Sequence, residues 1–96
     1  MGNTQLCTKK MMSFFKAGND EHRQRILAVI SQYKSLNSNQ ILQHLRIAQP
    51  TLSHHLKILK EAEFITSEKR GKEIFFSLNK ANIAECCGDF LKAVKN

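Results

Sequence analysis

Long hydrophobic runs are absent from this 96-residue chain, and no stretch approaches the roughly 20 apolar residues of a membrane-crossing helix. The opening Met1-Gly2-Asn3-Thr4-Gln5-Leu6 lacks the apolar core of a signal peptide, and Leu6 stands where a myristoylation pattern wants Ser or Thr. A soluble, cytoplasmic protein with no membrane partner is expected. Cysteine is scarce and odd in number, three in all, so thiols are expected and not a disulfide framework. No internal repeat, low-complexity tract or linker divides the chain, which makes residues 1–96 a single domain. Missing too are a Gly-rich phosphate loop, a paired-carboxylate pattern and a Ser/His/Asp arrangement, and with them the grounds for expecting an enzyme. Acidic residues are few. Eight Asp and Glu stand against fifteen Lys and Arg, a net charge of +7. Such an excess favours a polyanionic partner, although basicity also serves solubility alone.

What is present is a succession of short amphipathic segments. Between Leu6 and Ala17, the residues Cys7, Met11, Phe14 and Phe15 make an apolar helical stripe. Gly18-Asn19-Asp20 interrupts it, and Asn19 or Asp20 can N-cap a second helix over about Glu21–Tyr33, with Ile26, Leu27, Val29 and Ile30 inward. A third, short helix starts near Asn37 or Ser38 and contains Ile41, Leu42 and Leu45. Pro50, the only proline, sits where a first-turn proline is tolerated because its missing N–H would be unpaired there anyway. The helix it opens runs to about Ala62. Leu52, Leu56 and Leu59 recur along it at helical spacing, while Gln49, Ser53, His54, Lys57 and Lys60 point the other way. That outward face carries hydrogen-bonding groups and positive charge and no aliphatic side chain. It suits a helix lying in the major groove, although a merely solvated face has the same make-up.

After this helix the period changes. Ile65 to Lys69 reads as extended, Arg70-Gly71 as a turn, and Ile74, Phe76 and Leu78 alternate with Phe75 and Ser77. This is a β-hairpin with Lys69, Arg70 and Lys72 at its tip, charges that also suit an edge strand kept soluble by lysines. From about Lys80, Ile83, Cys87, Phe90 and Val94 form a helical seam too apolar to be left in water.

Helix, helix, helix, recognition helix, two-stranded wing and closing helix is the order of a winged helix-turn-helix domain, mostly α with a small β-hairpin. The residues Phe15-Lys16-Ala17, Asp20, Arg23 and Arg25-Ile26-Leu27, then Gln49-Pro50-Thr51-Leu52-Ser53-His54-His55-Leu56-Lys57-Ile58-Leu59-Lys60-Glu61-Ala62, then Lys69-Arg70-Gly71-Lys72 ending in Phe76-Ser77-Leu78, resemble the bacterial ArsR/SmtB repressors. The resemblance covers nearly the whole chain. It implies a homodimer of five-helix subunits, built mainly by the first and last helices, that binds double-stranded operator DNA near its own promoter. In that family an inducer releases the DNA by shifting the dimer between two arrangements. Gln49, Thr51, Ser53, His54 and Lys57 are then the expected DNA contacts of the helix, and Lys69, Arg70 and Lys72 those of the wing. The dimer is expected to set Leu6, Met11 and Phe14 against Ile83, Cys87, Phe90, Leu91 and Val94. His55, nearer the inner edge, is expected to fix the helix or meet a phosphate, and His22 and His44 to be ordinary surface residues. Three positions depart from the family pattern. Arg46 replaces a turn glycine, which calls for a reshaped turn or a positive φ; Ala48 removes a side-chain N-cap; Glu63 stands where glycine usually ends the recognition helix.

The metal sites that the resemblance implies are not supplied. The stretch that carries Cys-x-Cys in the family reads Leu36-Asn37-Ser38-Asn39-Gln40. The last helix, where a zinc site takes Asp and His, reads Ala81-Asn82-Ile83-Ala84-Glu85-Cys86-Cys87-Gly88-Asp89-Phe90-Leu91, without one histidine, so neither metal site is expected. The soft ligands that remain are Cys7, Cys86 and Cys87. They form a candidate thiol sensor for arsenite, another thiophilic ligand, a sulfur species or an oxidant. Arsenite-sensing relatives with vicinal cysteines on that helix carry a third near Ala93 here. Cys87 fits the seam well enough to be expected as a small packed hydrophobe. The leading reading is a sequence-specific repressor released by an inducer. Its alternatives are a winged-helix module that docks a protein and a DNA-binding regulator with no direct inducer.

Overall fold

The computed structural model describes residues 9–86. Leu6, Cys7, Cys87, Phe90, Leu91 and Val94, and the side chain of Met11, lie outside what is described. Helix α1 (Lys9–Gly18) turns Phe14 and Ala17 inward and leaves Met12 and Phe15 at the surface. Phe14, expected to face a second chain, is buried by its own. It is 2% exposed, and its ring stacks on Phe64 with centroids 3.8 Å apart. An apolar stripe gives the direction of burial, not the identity of what covers it. The same ring crowds the last residue of α1: a Cβ on Gly18 would lie 2.8 Å from the Phe64 ring, so a residue without one is required there.

Asp20 starts the next helix by accepting a hydrogen bond from the Arg23 backbone N–H at 3.1 Å, which satisfies one of the donors a helix start leaves over. Helix α2 (Glu21–Ser31) then buries Ile26 and Ile30 completely, with Leu27 and Val29 half-buried beside them. A two-residue strand, β1 (Leu36–Asn37), leads directly into α3 (Ser38–Leu42). Asn37 closes a capping box there: its Oδ1 accepts from the Gln40 N–H at 2.8 Å, and Gln40 Oε1 accepts from the Asn37 N–H at 2.9 Å. Leu45 falls beyond the end of this five-residue helix and packs half-buried against the core.

Helix α4 (Gln49–Glu61) has Pro50 in its first turn and, with alanine at position 48, no side-chain cap. Its inner face is Leu52, His55, Leu56 and Leu59. Arg46 does not take up the positive φ that its position in the turn suggested; among the described residues the one non-glycine with positive φ is Glu63, at 65°. There the family's usual glycine is absent and the backbone adopts the left-handed conformation regardless. Phe64 N–H reaches Leu59 O at 2.9 Å and Glu63 N–H reaches Lys60 O at 3.0 Å, a complete Schellman closure.

The hairpin pairs β2 (Ile65–Arg70) with β3 (Glu73–Leu78), Arg70 opposite Glu73. Arg70 is therefore the last residue of a strand, and the turn is Gly71-Lys72, with Gly71 at φ +66°. β1 adds an antiparallel third strand beside β3, with Leu36 opposite Phe76, which gives the order β1-β3-β2. Asn79 then opens the closing helix α5, which begins at residue 80 and is described through 86, by accepting from the Asn82 N–H at 3.2 Å. The fold is mostly helical, with a small antiparallel sheet that carries the wing.

Candidate nucleic-acid interface

Rotation along α4 divides its exposed side chains between two flanks. Gln49, Ser53, Lys57 and Lys60, four, four and three residues apart, line an open groove of about 500 Å³ toward the wing. Leu56 and Phe76 lie at its base, and its far wall is Lys72, Glu73 and Ile74. Asn37, Ser38 and Asn39 close one end. His54 is exposed near the outermost line of the helix, and Thr51 is exposed on the flank that turns toward α2. All five residues expected of the helix thus stand on its outward side. Among the described residues none of Gln49, Thr51, Ser53 or Lys57 has its side chain engaged in a hydrogen bond or ion pair, so each keeps its donors and acceptors available.

The wing is built differently. Arg70 donates from Nε and Nη2 to Glu68 Oε1 at 3.0 and 2.8 Å, and its guanidinium carbon lies 4.7 Å from the centre of the Phe75 ring. Lys69 and Lys72 are exposed to either side of it. Glu73 accepts from Asn37 Nδ2 at 3.0 Å, which ties the base of the wing to the cap of α3. Ile74, which shares a strand face with Phe76, is 49% exposed at the groove wall, whereas Phe76 is covered. Sequence reasoning missed Asn37, Asn39, Glu73 and Ile74 as groove residues. Only the charge at Glu73 signalled anything, and nothing local placed the start of α3 beside the wing.

Behind the outward face of α4 sits a cluster of ionisable groups. His55 is 8% exposed, and its Nδ1 lies 3.3 Å from Arg23 Nη1. Arg23 also donates from Nε to the Ala17 carbonyl at 2.6 Å and holds Asp20 Oδ2 with Nη2 at 3.7 Å. The rings of His22 and His54 approach His55 with centroids 5.7 and 5.8 Å away. The backbone N–H of Arg23, and then its charge, keep the Asp20 carboxyl below its ordinary range. Burial foremost, and then the charge of Arg23, pushes His55 below the ordinary imidazole value; Asp20 acts the other way. His55 is thus buried at the inner edge of α4, in contact with α2. His22, expected at the surface, is exposed and belongs to this cluster too. His44 is exposed with its ring against Tyr33.

At the other end of α4, the Glu63 carbonyl accepts from Asn82 Nδ2 at 3.1 Å, and the Cys86 thiol lies 3.9 Å from Asn82 Oδ1. Cys86 is buried against the core, and Ile83 packs half-buried on it. Among the described residues no three His, Cys, Asp or Glu side chains gather closely enough to hold a metal ion, and no helix is long and apolar enough to cross a membrane.

The description of bacterial regulatory proteins of the arsR family matches residues 20–67, from the cap of α2 into β2. The chain is 39% identical over 69 residues to the transcriptional repressor SdpR of Bacillus subtilis (strain 168), spanning 72% of this chain and 76% of that one. It is 36% identical over 73 residues to an arsenical resistance operon repressor of Staphylococcus aureus, spanning 76% and 69%. Among solved structures, an ArsR-like transcriptional regulator from Rhodococcus sp. RHA1 shares the fold, with a TM-score of 0.81 over 88% of this chain and 78% of that one at 21% identity. These likenesses are to regulators and not to enzymes. The chain belongs to the arsR family of bacterial regulatory proteins.

Proposed function

We propose that this protein is a transcriptional repressor that binds double-stranded operator DNA as a homodimer, reading base edges with α4 and holding phosphates with the wing. The observation that carries the reading is the outward face of α4. Gln49, Ser53 and Lys57 present amide, hydroxyl and ammonium groups toward an open groove whose opposite wall is a basic hairpin. Amides read adenine edges in pairs of hydrogen bonds, hydroxyls serve either base, and lysines neutralise phosphates. A surface for docking a protein would instead offer aromatic or aliphatic anchors, and this face of α4 has none. The dimer is supported by exposed Met12 and Phe15 on α1 and by the apolar seam that continues from Ile83 in the sequence. A two-fold axis would set the two recognition helices about 34 Å apart, one turn of DNA.

The proposal extends to control by a thiophilic ligand. Cys86 is joined through Asn82 to the carbonyl of Glu63, the residue just past the C-cap of α4, so a ligand taken up there would act next to the end of that helix. The test is a gel shift on the DNA upstream of the protein's own gene and on a scrambled duplex, repeated with arsenite, sulfide and peroxide. A preference for the upstream duplex is expected, with release by one of these agents that is lost in a Cys7/Cys86/Cys87→Ser variant. Equal retention of both duplexes would sink the operator assignment. An identical response of wild type and variant would move the sensor away from the thiols.

A further inference from the structure

The cluster behind α4 has a chemistry that the reading face does not use. A guanidinium only donates hydrogen bonds. Its 3.3 Å approach to His55 Nδ1 is therefore a bond only while that nitrogen keeps its lone pair, that is, with His55 neutral and its proton on Nε2. A proton on Nδ1 would set N–H against N–H and a second positive charge beside the first. The same guanidinium closes the last turn of α1 by donating to Ala17 O and meets Asp20 at the start of α2. One side chain thus joins three helices, and its bond to α4 requires an uncharged ring.

Resting on the DNA-reading assignment above, we infer that Arg23 and His55 are positioning residues for the recognition helix, and that protonation of His55 unseats α4 from α1 and α2 and weakens operator binding. His55 lies directly behind His54, and Ser53 and Lys57 are two residues away on either side, so a shift of its backbone moves the residues that would touch bases. The groups that face the ring are Asp20, His22 and Arg23 from α2 and His54 from α4 itself. Lys16 of α1 and Glu61 of α4 line the recess beside Arg23. Of these only Asp20 favours a charged ring, and it is already engaged by Arg23. Burial and the three basic neighbours favour the neutral form. The sign follows. The folded state binds the proton less readily than the unfolded chain, whose imidazole titrates near 6.5, so stability is full above that value. It falls with pH down to the folded value of His55.

The test compares wild type with His55→Asn, whose amide can accept from Arg23 near the place of Nδ1 and cannot take up a proton in this range, and with Arg23→Gln. Affinity for the upstream duplex is measured by anisotropy from pH 8 to 5 at fixed ionic strength. Any general gain in phosphate attraction on acidification is common to all three proteins. Relative to His55→Asn, wild type is expected to lose several-fold in affinity over this range, approaching the roughly tenfold limit that one unit of pKa difference between bound and free protein sets. Parallel pH profiles of the two would overturn the inference.

A second measurement needs no DNA. In the free protein, the Ala17–Gly18 amides and those of α4 are expected to titrate in NMR spectra with the His55 midpoint, and that midpoint should rise in Arg23→Gln. Amides of α1 that ignore His55 would overturn the coupling even if binding were pH-dependent. Failure of every protein to prefer the upstream duplex at any pH, with the amides titrating as described, would instead remove the DNA-reading assignment and leave the coupling between helices standing.

Discussion

On α4, Gln49, Thr51, Ser53 and Lys57 make no side-chain hydrogen bond or ion pair among the described residues, whereas on the wing Arg70 is held by Glu68 on one side and Phe75 on the other. Gln49, Ser53 and Lys57 line the groove and Lys72, Glu73 and Ile74 of the wing form its far wall, while Thr51 and Arg70 stand outside that lining. The two regions meet a ligand under different conditions. A side chain on α4 has only water to shed. Arg70 must also leave a carboxylate, and an exposed ion pair of this kind contributes at most about 1 kcal/mol. The tie is therefore a bias and not a lock: it lays the guanidinium along the strand, and a phosphate could compete for it. The difference assigns separate duties. On the proposed function, the uncommitted face would discriminate among sequences and the tied wing would set how tightly any duplex is held.

Four tests, six substitutions in all, probe that division. The largest effect is expected from Phe76→Ala, which empties the base of the groove where wing and helix meet. A loss of about 3–5 kcal/mol in urea unfolding is expected for so large a buried side chain. A smaller loss, with the wing still ordered, would show that the two regions are anchored independently. Next, Gln49→Ala and Ser53→Ala should reduce discrimination between the upstream duplex and a scrambled one, by about 1–3 kcal/mol where a bidentate contact is lost. An unchanged ratio would place base reading elsewhere. The double change Arg70→Ala/Lys72→Ala should instead weaken both duplexes alike and lower the salt dependence of log K by about 0.9 per phosphate contact removed. A change in sequence preference here would erase the distinction between helix and wing. Smallest is Glu68→Gln, which frees Arg70. Affinity for every duplex should rise by no more than a few-fold, about 1 kcal/mol at most, and a fall would mean that Glu68 orients Arg70 for binding.

How much of this was legible in the sequence depended on length and on who covers whom. The thirteen residues of α4 repeat their apolar spacing often enough to fix both its faces, and its expected contacts do stand outward. Strand β1 has two residues and no period to detect; its pairing with Phe75 and Phe76 follows from tertiary packing. Alternation put Ile74 and Phe76 on one strand face, correctly, but could not tell that only Phe76 lies under cover. Phe14 shows the same limit more sharply, since a stripe that suits a dimer equally suits a partner fifty residues along the same chain. The wing's basic tip was visible from three charges around a glycine, but the Glu68 that restrains Arg70 is a solubilising charge until the strand brings the two to one edge. The Arg23–His55 contact spans thirty-two residues and left only the trace that His55 borders the apolar stripe.

Glu63 bears on how the reading helix can move. Its left-handed backbone closes α4 against Leu59 and Lys60, its carbonyl is held by Asn82 of the closing helix, and the next residue, Phe64, is clamped by Phe14. To slide along its own axis by a single residue, about 1.5 Å, α4 would have to break all of these together. Tilting about that corner disturbs them least, because the far end, at Ala48, has no side-chain cap to hold it. The C-terminal corner is thus the more firmly held end of the helix. Any angular change at the corner would grow along the thirteen residues and be largest near Gln49 and Ser53.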